Sequence, residues 1–367
     1  MFIKELSLNN FRNYTRLEVD FSKRVNIVMG KNAQGKTSLI EAIYALSTTK
    51  SHRTSKDVQM IRLDEAFAKI DAVVENDECF DLSLVLSGKG KRAKCNGVDF
   101  RLLSEYIGKL KVVFFAPEDL LMIKGSPTVR RRFLNMAIGQ MDGLYLHHLS
   151  QYNQILKQRN ELLKQFVEND GNQLMLEVLT QQLISHLLYV HEKRIWFLSS
   201  LEKHAECVHK KVTVSKERLE LKYISSIKVE DMSEREVFNK YEASYGTDKR
   251  MRTTTIGIHR DDFMVEVDGM DASDFASQGQ QRTAVLSMKF GEVDLVHDVT
   301  GIYPVLLLDD VLSELDGHRQ SQLLSVTNEK VQTFITTTSI DGIEDEVVKI
   351  ADVFEVDQAE VKRINLA

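Results

Sequence analysis

The sequence predicts an α/β fold that is divided between the two ends of the chain, with a mainly helical segment inserted between the halves. Before residue 120, short apolar runs rich in β-branched residues are separated by turn residues, which predicts strands. From about residue 128 to 211 apolar residues recur every three or four positions, which predicts long helices. After about residue 250 predicted helices and strands alternate, as in α/β layers. We therefore expect one domain from residues 1–120 and 250–367, and a mainly helical second domain from residues 121–249.

Composition limits the kind of protein this is. The 367 residues are 43% hydrophobic and carry a net charge of −6, which is typical of a folded globular protein and excludes a surface that is basic throughout. Cys79, Cys95 and Cys207 form no CxxC pair, so the sequence indicates neither a zinc site nor a disulfide framework. Charged residues near the start argue against a signal peptide, and no apolar run is long enough to cross a bilayer. We expect a cytoplasmic protein without a membrane partner.

A phosphate loop follows the second predicted strand. That strand covers residues 17–29 and leads into Gly30-Lys31-Asn32-Ala33-Gln34-Gly35-Lys36-Thr37, a G-x-x-x-x-G-K-[ST] pattern at a strand-to-helix junction. Backbone N–H groups of such a loop surround phosphates, and the helix that follows adds the positive end of its dipole. We expect Lys36 to reach the β and γ phosphates, Thr37 to bind Mg²⁺ and Ser38 to complete the loop.

The inserted segment has the pattern of two antiparallel helices. A stripe from Leu176 to Val208 follows helical spacing, with Arg194 as its one interruption, and a similar stripe runs from Leu149 to Leu163. The pair is expected to form an antiparallel helical arm, and the second helix would be roughly 50 Å long, enough to stand out from the main body. Packing within the chain is favoured over a coiled coil with a partner, although the spacing fits both.

A second candidate motif is an apolar strand that ends in two carboxylates, Pro304–Asp310. A buried strand tolerates acids at its exit, so we expect Asp309 to hold Mg²⁺ through water and Asp310 to orient or deprotonate the attacking water. A solvated strand end is the alternative. The phosphate loop in the same chain favours the functional interpretation.

Two further segments narrow the class. Ser277-Gln278-Gly279-Gln280 opens the helix before the carboxylate strand, and Ser313-Glu314-Leu315-Asp316 follows that strand. The order of these motifs resembles that of the ATP-binding-cassette (ABC) ATPases, which implies an ABC-type P-loop ATPase head. The resemblance also implies that Ser277, Gly279 and Gln280 contact ATP held by a second copy, and that Asp316 belongs to the nucleotide site. A plain helix N-cap at Ser277 is the alternative.

The chain departs from the cassette pattern at several positions. Asp310 stands where most cassettes have glutamate, and because its carboxylate is one methylene shorter, slow hydrolysis is expected. No histidine occupies the usual switch position at Phe334–Thr338, and the threonines there cannot titrate near neutral pH. Gln278 stands where transporters usually have glycine. The usual glutamine ligand is unassigned, with Glu118 or Asp119 as candidates. Arg53 fits a phosphate or base contact and a surface arginine equally well.

Within this superfamily the sequence resembles the RecF family. The segments that carry the resemblance run in order from Leu8 to Asp316: LNNFRNY, GKNAQGKTSLIEAIY, SHRT, FFAPEDL, RRRFLN, YNQILKQRN, GIHRDD, SQGQQRT and LLLDDVLSELD. The resemblance implies a weak, DNA-dependent ATPase that dimerises on ATP and acts as a switch in recombinational repair. It further implies binding at single-strand gaps and junctions, help in loading recombinase, roles in replication and the SOS response, and RecR and RecO as partners.

A local basic region is the candidate DNA surface. Lysines and arginines outnumber acids between Lys124 and Lys164, and we expect phosphate contacts from Arg130, Arg131, Arg132, Lys157 and Arg159. A solvated helix face is the alternative. Two rival functions stay open: a nucleotide-dependent scaffold that does not bind DNA, and a soluble ATPase subunit of a transporter.

Overall fold

The structure is a computed structural model that describes residues 1–166, 170–214, 216–227, 233–311, 330–340, 343 and 345–364. Its strands are β1 (Phe2–Phe11), β2 (Tyr14–Asp20), β3 (Val25–Met29), β4 (Phe67–Glu75), β5 (Cys79–Ser87), β6 (Gly90–Cys95), β7 (Val98–Asp99), β8 (Val112–Phe115), β9 (Leu219–Ile224), β10 (Asp262–Val267), β11 (Met270–Asp271), β12 (Val305–Asp309), β13 (Thr333–Thr337), β14 (Asp352–Asp357) and β15 (Glu360–Ile364). Its α-helices are α1 (Lys36–Thr48), α2 (Leu103–Tyr106), α3 (Leu121–Lys124), α4 (Pro127–Met141), α5 (Gly143–Lys164), α6 (Asp170–Val212), α7 (Glu234–Met251), α8 (Gln278–Thr300) and α9 (Asp345–Ile350), and 3₁₀ turns cover Asp57–Met60 and Pro117–Leu120.

A six-stranded sheet is built from both ends of the chain. Its order is β15-β14-β3-β13-β12-β8, and the five strands from β14 to β8 run parallel. The strand β3, from the N-terminal part, lies between β13 and β14, which come from the C-terminal part. This arrangement confirms the predicted α/β fold with split halves.

The parallel sheet is covered on both faces, which explains why its central strands are apolar throughout. Leu306 and Leu308 face a core shared with α4, α5, α6 and α8. Val305 and Leu307, which alternate with them along β12, face a second core formed with α1 and the antiparallel sheet β2-β1-β4-β5-β6-β7. The helix α1 therefore lies between two sheets, and the phosphate loop leads directly into its first residue, Lys36.

The long helix α6 is fixed along the body of the protein. Its 43 residues correspond to about 65 Å, and the predicted stripe is buried, with Leu183, Leu187 and Leu201 each 0% exposed. A Cβ on Gly291 of α8 would lie 2.6 Å from the backbone nitrogen of Ala205, so the two helices touch at backbone distance. The C-terminal half of α6 therefore packs on α8, and the predicted helical insertion is confirmed.

A small sheet, β11-β10-β9, lies beside these helices. The strand β9 belongs to the segment predicted to be inserted, whereas β10 and β11 follow residue 250, and the proposed domain limits stay a prediction. The Ser313–Asp316 segment falls outside the described residues. None of the described helices is long and apolar enough to cross a membrane.

Candidate nucleotide site

The phosphate loop is shaped by two glycines and fixed by side chains from the hairpin that β1 and β2 form. Gly35 has φ 125°, and a Cβ there would lie 2.8 Å from the side-chain nitrogen of Asn13 and 2.9 Å from the Tyr14 hydroxyl. Asn13 donates to the carbonyl of Gln34 (3.2 Å) and Tyr14 donates to the carbonyl of Gly35 (3.2 Å). The loop therefore needs glycine at position 35 and is supported from behind by the first hairpin.

The amine of Lys36 lies inside the curve of the loop. Its Nζ donates to the carbonyls of Gly30 (2.5 Å) and Lys31 (2.9 Å). Burial lowers the pKa of Lys36, while the nearby Asp310 and Asp309 carboxylates act in the opposite direction. These carbonyl contacts are the kind that a lysine exchanges for phosphate oxygens, which are stronger acceptors because they are charged.

The predicted metal ligands are brought together from two distant parts of the sequence. Thr37 Oγ1 donates to Asp309 Oδ1 over 3.1 Å. Thr336, at the end of β13, donates to the same oxygen over 2.6 Å and accepts from the backbone nitrogen of Asp310 over 2.9 Å. Asp310 is exposed and has φ 55°, an uncommon backbone conformation for a residue other than glycine. One threonine hydroxyl thus holds the carboxylate of Asp309 and the backbone of Asp310.

The environment of Asp309 matches a cation site. Burial raises the pKa of Asp309, the hydrogen bonds from Thr336 and Thr37 lower it, and the charges of Glu118 and Asp310 raise it. The pKa of Asp309 is raised overall, and a divalent cation would act in the opposite direction. A hydroxyl and a carboxylate as oxygen donors suit Mg²⁺.

A large cavity opens over the loop. It holds about 1120 Å³ and is lined by Asn32, Ala33, Gly35, Lys36, Thr37, Ser38, Asp309, Asp310 and Thr336 from the predicted site, together with Arg12, Arg53 and residues 58, 59 and 61–66. The volume and the mixture of cations, hydroxyls and backbone suit a nucleoside triphosphate. Ser277, Gly279 and Gln280 are absent from the described residues that line this cavity.

An arginine–glutamate cluster at the cavity wall was missed by the sequence analysis. Arg12 makes a two-pronged pair with Glu41, whose side chain is 0% exposed, and Ser51 also donates to Glu41. Burial raises the pKa of Glu41, but the hydrogen bonds from Arg12 and Ser51 outweigh it, so the pKa is lowered. Arg53 lies 3.7 Å from the same carboxylate and is half exposed at the cavity. The cluster holds two arginines beside the loop.

The start of α8 is a well-formed helix cap on the surface. Ser277 accepts from Gln280 N (3.3 Å), and the Gln280 side chain accepts from Ser277 N (2.9 Å). Ser277 and Gln278 are exposed, and Gly279 is half-buried. The exposed helix N-terminus is suited to an anion brought by another molecule.

The two candidates for the missing glutamine ligand differ. Asp119 accepts from Ala116 N (2.9 Å) and lies 3.5 Å from the buried amine of Lys289 in α8. Glu118 stays close enough to Asp309 to raise the pKa of that carboxyl. Position 118 is therefore the better candidate.

The basic residues assigned to DNA binding differ in their hydrogen-bond partners and in their exposure. Arg130 pairs with Asp262 through two hydrogen bonds of 2.7 Å. Arg131 donates to the carbonyl of Asp261, and Arg132 donates to the carbonyl of Ser51. Lys157 is exposed. Their contact with DNA stays a prediction.

Arg159 does not belong to this surface. Its side chain is 0% exposed, lies 2.9 Å from the equally buried Asp248, and donates to Thr180 and Thr254. A guanidinium without exposure cannot reach a DNA phosphate, so the expectation for Arg159 is wrong. Its position in α5 between buried Ile155 and Leu163 was the signal that marked it as an interior residue.

Comparison with known proteins agrees with this geometry. The family model described as the RecF/RecN/SMC N terminal domain matches residues 2–362. The head of an Smc protein from Pyrococcus furiosus superposes with a TM-score of 0.54 at 16% identity, covering 100% of this chain and 96% of that one, which is a likeness of fold. The fold and the site thus define a P-loop head of the RecF/RecN/SMC class.

Relatives that match over nearly the whole chain identify the family within this class. The DNA replication and repair protein RecF of Shouchella clausii is 48% identical over 371 residues, covering 99% of this chain and 100% of the relative. The protein of the same name from Bacillus subtilis is 46% identical over 363 residues, with 97% and 98% covered. A solved structure described as the recombination mediator protein RecF with ATP in the RecFOR pathway has a TM-score of 0.91 at 33% identity, covering 99% and 98%. The chain belongs to the RecF family.

Proposed function

We propose that this chain binds ATP with Mg²⁺ in the cavity over the phosphate loop and hydrolyses it slowly as a switch for DNA binding in recombinational repair. The observation that carries the proposal is the convergence of Lys36, Thr37 and Asp309 on one cavity, although 272 positions separate the last two. The family supports it, since a RecF structure with a TM-score of 0.91 is described with ATP.

The residues of the loop act on the phosphates. Lys36 would exchange its bonds to the Gly30 and Lys31 carbonyls for β and γ phosphate oxygens, and the N-terminus of α1 adds its dipole. Thr37 would hold Mg²⁺ directly and Asp309 through water; when bound, the cation offsets phosphate charge. Asp310, whose backbone nitrogen donates to Thr336, would accept a proton from the attacking water.

The exposed helix start at Ser277 supports the proposal of a second copy. The helix start at Ser277 is exposed and capped, and it is missing from the described lining of its own cavity. In the proposed dimer, Ser277, Gly279 and Gln280 of one copy contact the γ phosphate held by Lys36 of the other, and Asp316 adds a further contact. Closure on ATP then joins two basic surfaces into one DNA site, with Arg130, Arg131, Arg132 and Lys157 near phosphates. RecR and RecO would be its partners.

The test compares Lys36→Ala with Lys362→Ala, a control whose lysine side chain is 77% exposed on β15. Molar mass and binding to gapped duplex are measured with ATP, with ADP and without nucleotide. We expect the wild type and the control to dimerise and bind DNA with ATP, and Lys36→Ala to do neither. The affinity for DNA should fall steeply with salt. A Lys36→Ala protein that still responds to ATP would overturn the switch.

A further inference from the structure

One exposed aromatic side chain stands beside the start of α8. Phe275 is 68% exposed and lies two residues before Ser277. Single apolar residues on a surface are common and need no explanation by themselves. Phe275, however, lies next to the helix start that is proposed above to contact a second copy.

The turn that carries Phe275 is held firmly. The backbone nitrogen of Phe275 donates to the carbonyl of Asp271 (3.0 Å), and Ala272 is 0% exposed. The carbonyl of Ala272 accepts from the buried side chain of Gln281 in α8 (2.8 Å). The turn is therefore tied to the same helix that begins at Ser277, and its ring is presented outward by a fixed backbone.

The rim of the nucleotide cavity presents apolar side chains as well. Val58 and Leu63 line the cavity and are 53% and 86% exposed. Both lie in the segment between α1 and β4, on the same cavity wall as Arg53 and Arg62. Leu63 therefore presents an exposed apolar side chain at a cavity that charged residues also line.

We propose that Phe275 packs against the apolar rim formed by Val58 and Leu63 of a second copy of this chain, closing the mouth of the nucleotide cavity. The proposal rests on the ATP-dependent dimer proposed above. Two residues of extended chain span at most about 7 Å. If Ser277 reaches the γ phosphate in the other copy, Phe275 must enter the same interface, and these side chains are exposed apolar partners at the cavity mouth.

Twofold symmetry makes the contact occur twice per dimer. Burying most of one phenyl ring lowers the dissociation constant of the dimer by about tenfold. The two contacts together therefore lower it by about 100-fold. The contact also excludes water from the cavity. We therefore expect it to slow the release of nucleotide from the closed dimer.

The experiment measures the dissociation constant of the ATP-bound dimer by sedimentation for wild type, Phe275→Ala, Leu63→Ala and the double variant. Val98→Ala is the control, because Val98 is also 68% exposed but lies on β7. We expect a loss of about 100-fold for Phe275→Ala, a change within about twofold for Val98→Ala, and a double variant that loses less than the product of the two single losses.

The outcomes separate this inference from the function on which it rests. A wild type that dimerises with ATP while Phe275→Ala dimerises equally well would overturn the rim contact and leave the dimer intact. Independent losses in the double variant would also refute the pairing of Phe275 with Leu63. A wild type that stays monomeric with ATP would remove the proposed dimer and this contact together. Because these side chains are exposed, the variants are expected to fold, which their circular dichroism checks.

Discussion

Thr336 is the residue whose removal should reveal how the metal site is held. Thr336→Val keeps the shape of the side chain but removes the hydroxyl that donates to Asp309 (2.6 Å) and accepts from Asp310 N (2.9 Å). Thr336 is 1% exposed, so water cannot easily replace these bonds. A hydrogen bond to a charged group contributes about 1.5–3 kcal/mol, and partners that orient metal ligands typically matter by about 10–100-fold in metal affinity.

We therefore expect Thr336→Val to weaken Mg²⁺-dependent binding of a fluorescent ATP analogue by at least about tenfold. Loss of the hydroxyl also removes an interaction that lowers the pKa of Asp309, so the defect should grow as the pH falls. Thr333→Val is the matched control, since Thr333 is 0% exposed on the same strand and its hydroxyl bonds only weakly to the Val331 carbonyl (3.4 Å). If Thr336→Val and Thr333→Val bind equally well, the hydroxyl does not hold the carboxylate and the reasoning is refuted.

Other predictions concern buried charge. Burial raises the pKa of Glu292 to about 7, so its stabilising contribution is present below the usual carboxyl pKa and is lost as pH rises through 7. Between pH 5 and 8, the free energy of unfolding of Glu292→Gln, measured with denaturant, should rise by about 1–3 kcal/mol relative to that of the wild type. A difference that does not change with pH would contradict this prediction. Arg159→Met should lower the unfolding free energy by about 3–5 kcal/mol, because it leaves Asp248 buried without its partner. In DNA titrations of folded protein, Lys157→Glu should weaken DNA binding and Arg159→Met should not. If instead Arg159→Met weakens DNA binding and Lys157→Glu does not, Arg159 belongs to the DNA surface after all.

The parts of the site that one local pattern encodes could be predicted from sequence. The strand, the glycines and the lysine of the phosphate loop lie within a few residues of each other, and the carboxylates stand at the end of an apolar strand. That the phosphate loop and the carboxylates lie close together was implied by the order of the motifs, which resembles that of the ABC ATPases. The split α/β fold was predicted for the same reason.

The parts that depend on strand register could not be predicted in this way. Thr336 lies beside Asp309 because β12 and β13 pair in parallel with these residues opposite each other. Nothing in the Thr-rich end of β13 says which threonine will face the carboxylate. The pair between Arg12 and Glu41 likewise depends on how the first hairpin packs on α1.

Arg159 shows a different kind of failure. Charge was counted along the sequence, whereas helical spacing already placed Arg159 on the buried side of α5. Arg194, which interrupts the apolar stripe of α6, is 1% exposed and donates to the carbonyl of Ile258 and to Asn135 and Tyr145. Basic residues within an apolar stripe indicate buried polar networks, and they should be set aside before a DNA surface is assigned.

The most direct measurement is the molar mass, by sedimentation with ATP and Mg²⁺, of Lys36→Ala, of Ser277→Arg and of their equimolar mixture. Each triphosphate is proposed to take Lys36 from one copy and Ser277 from the other. Each variant alone should therefore stay monomeric, and the mixture should form dimers, because one of its two shared sites keeps both residues. Ser277→Arg protein that dimerises alone as tightly as the wild type would contradict the account.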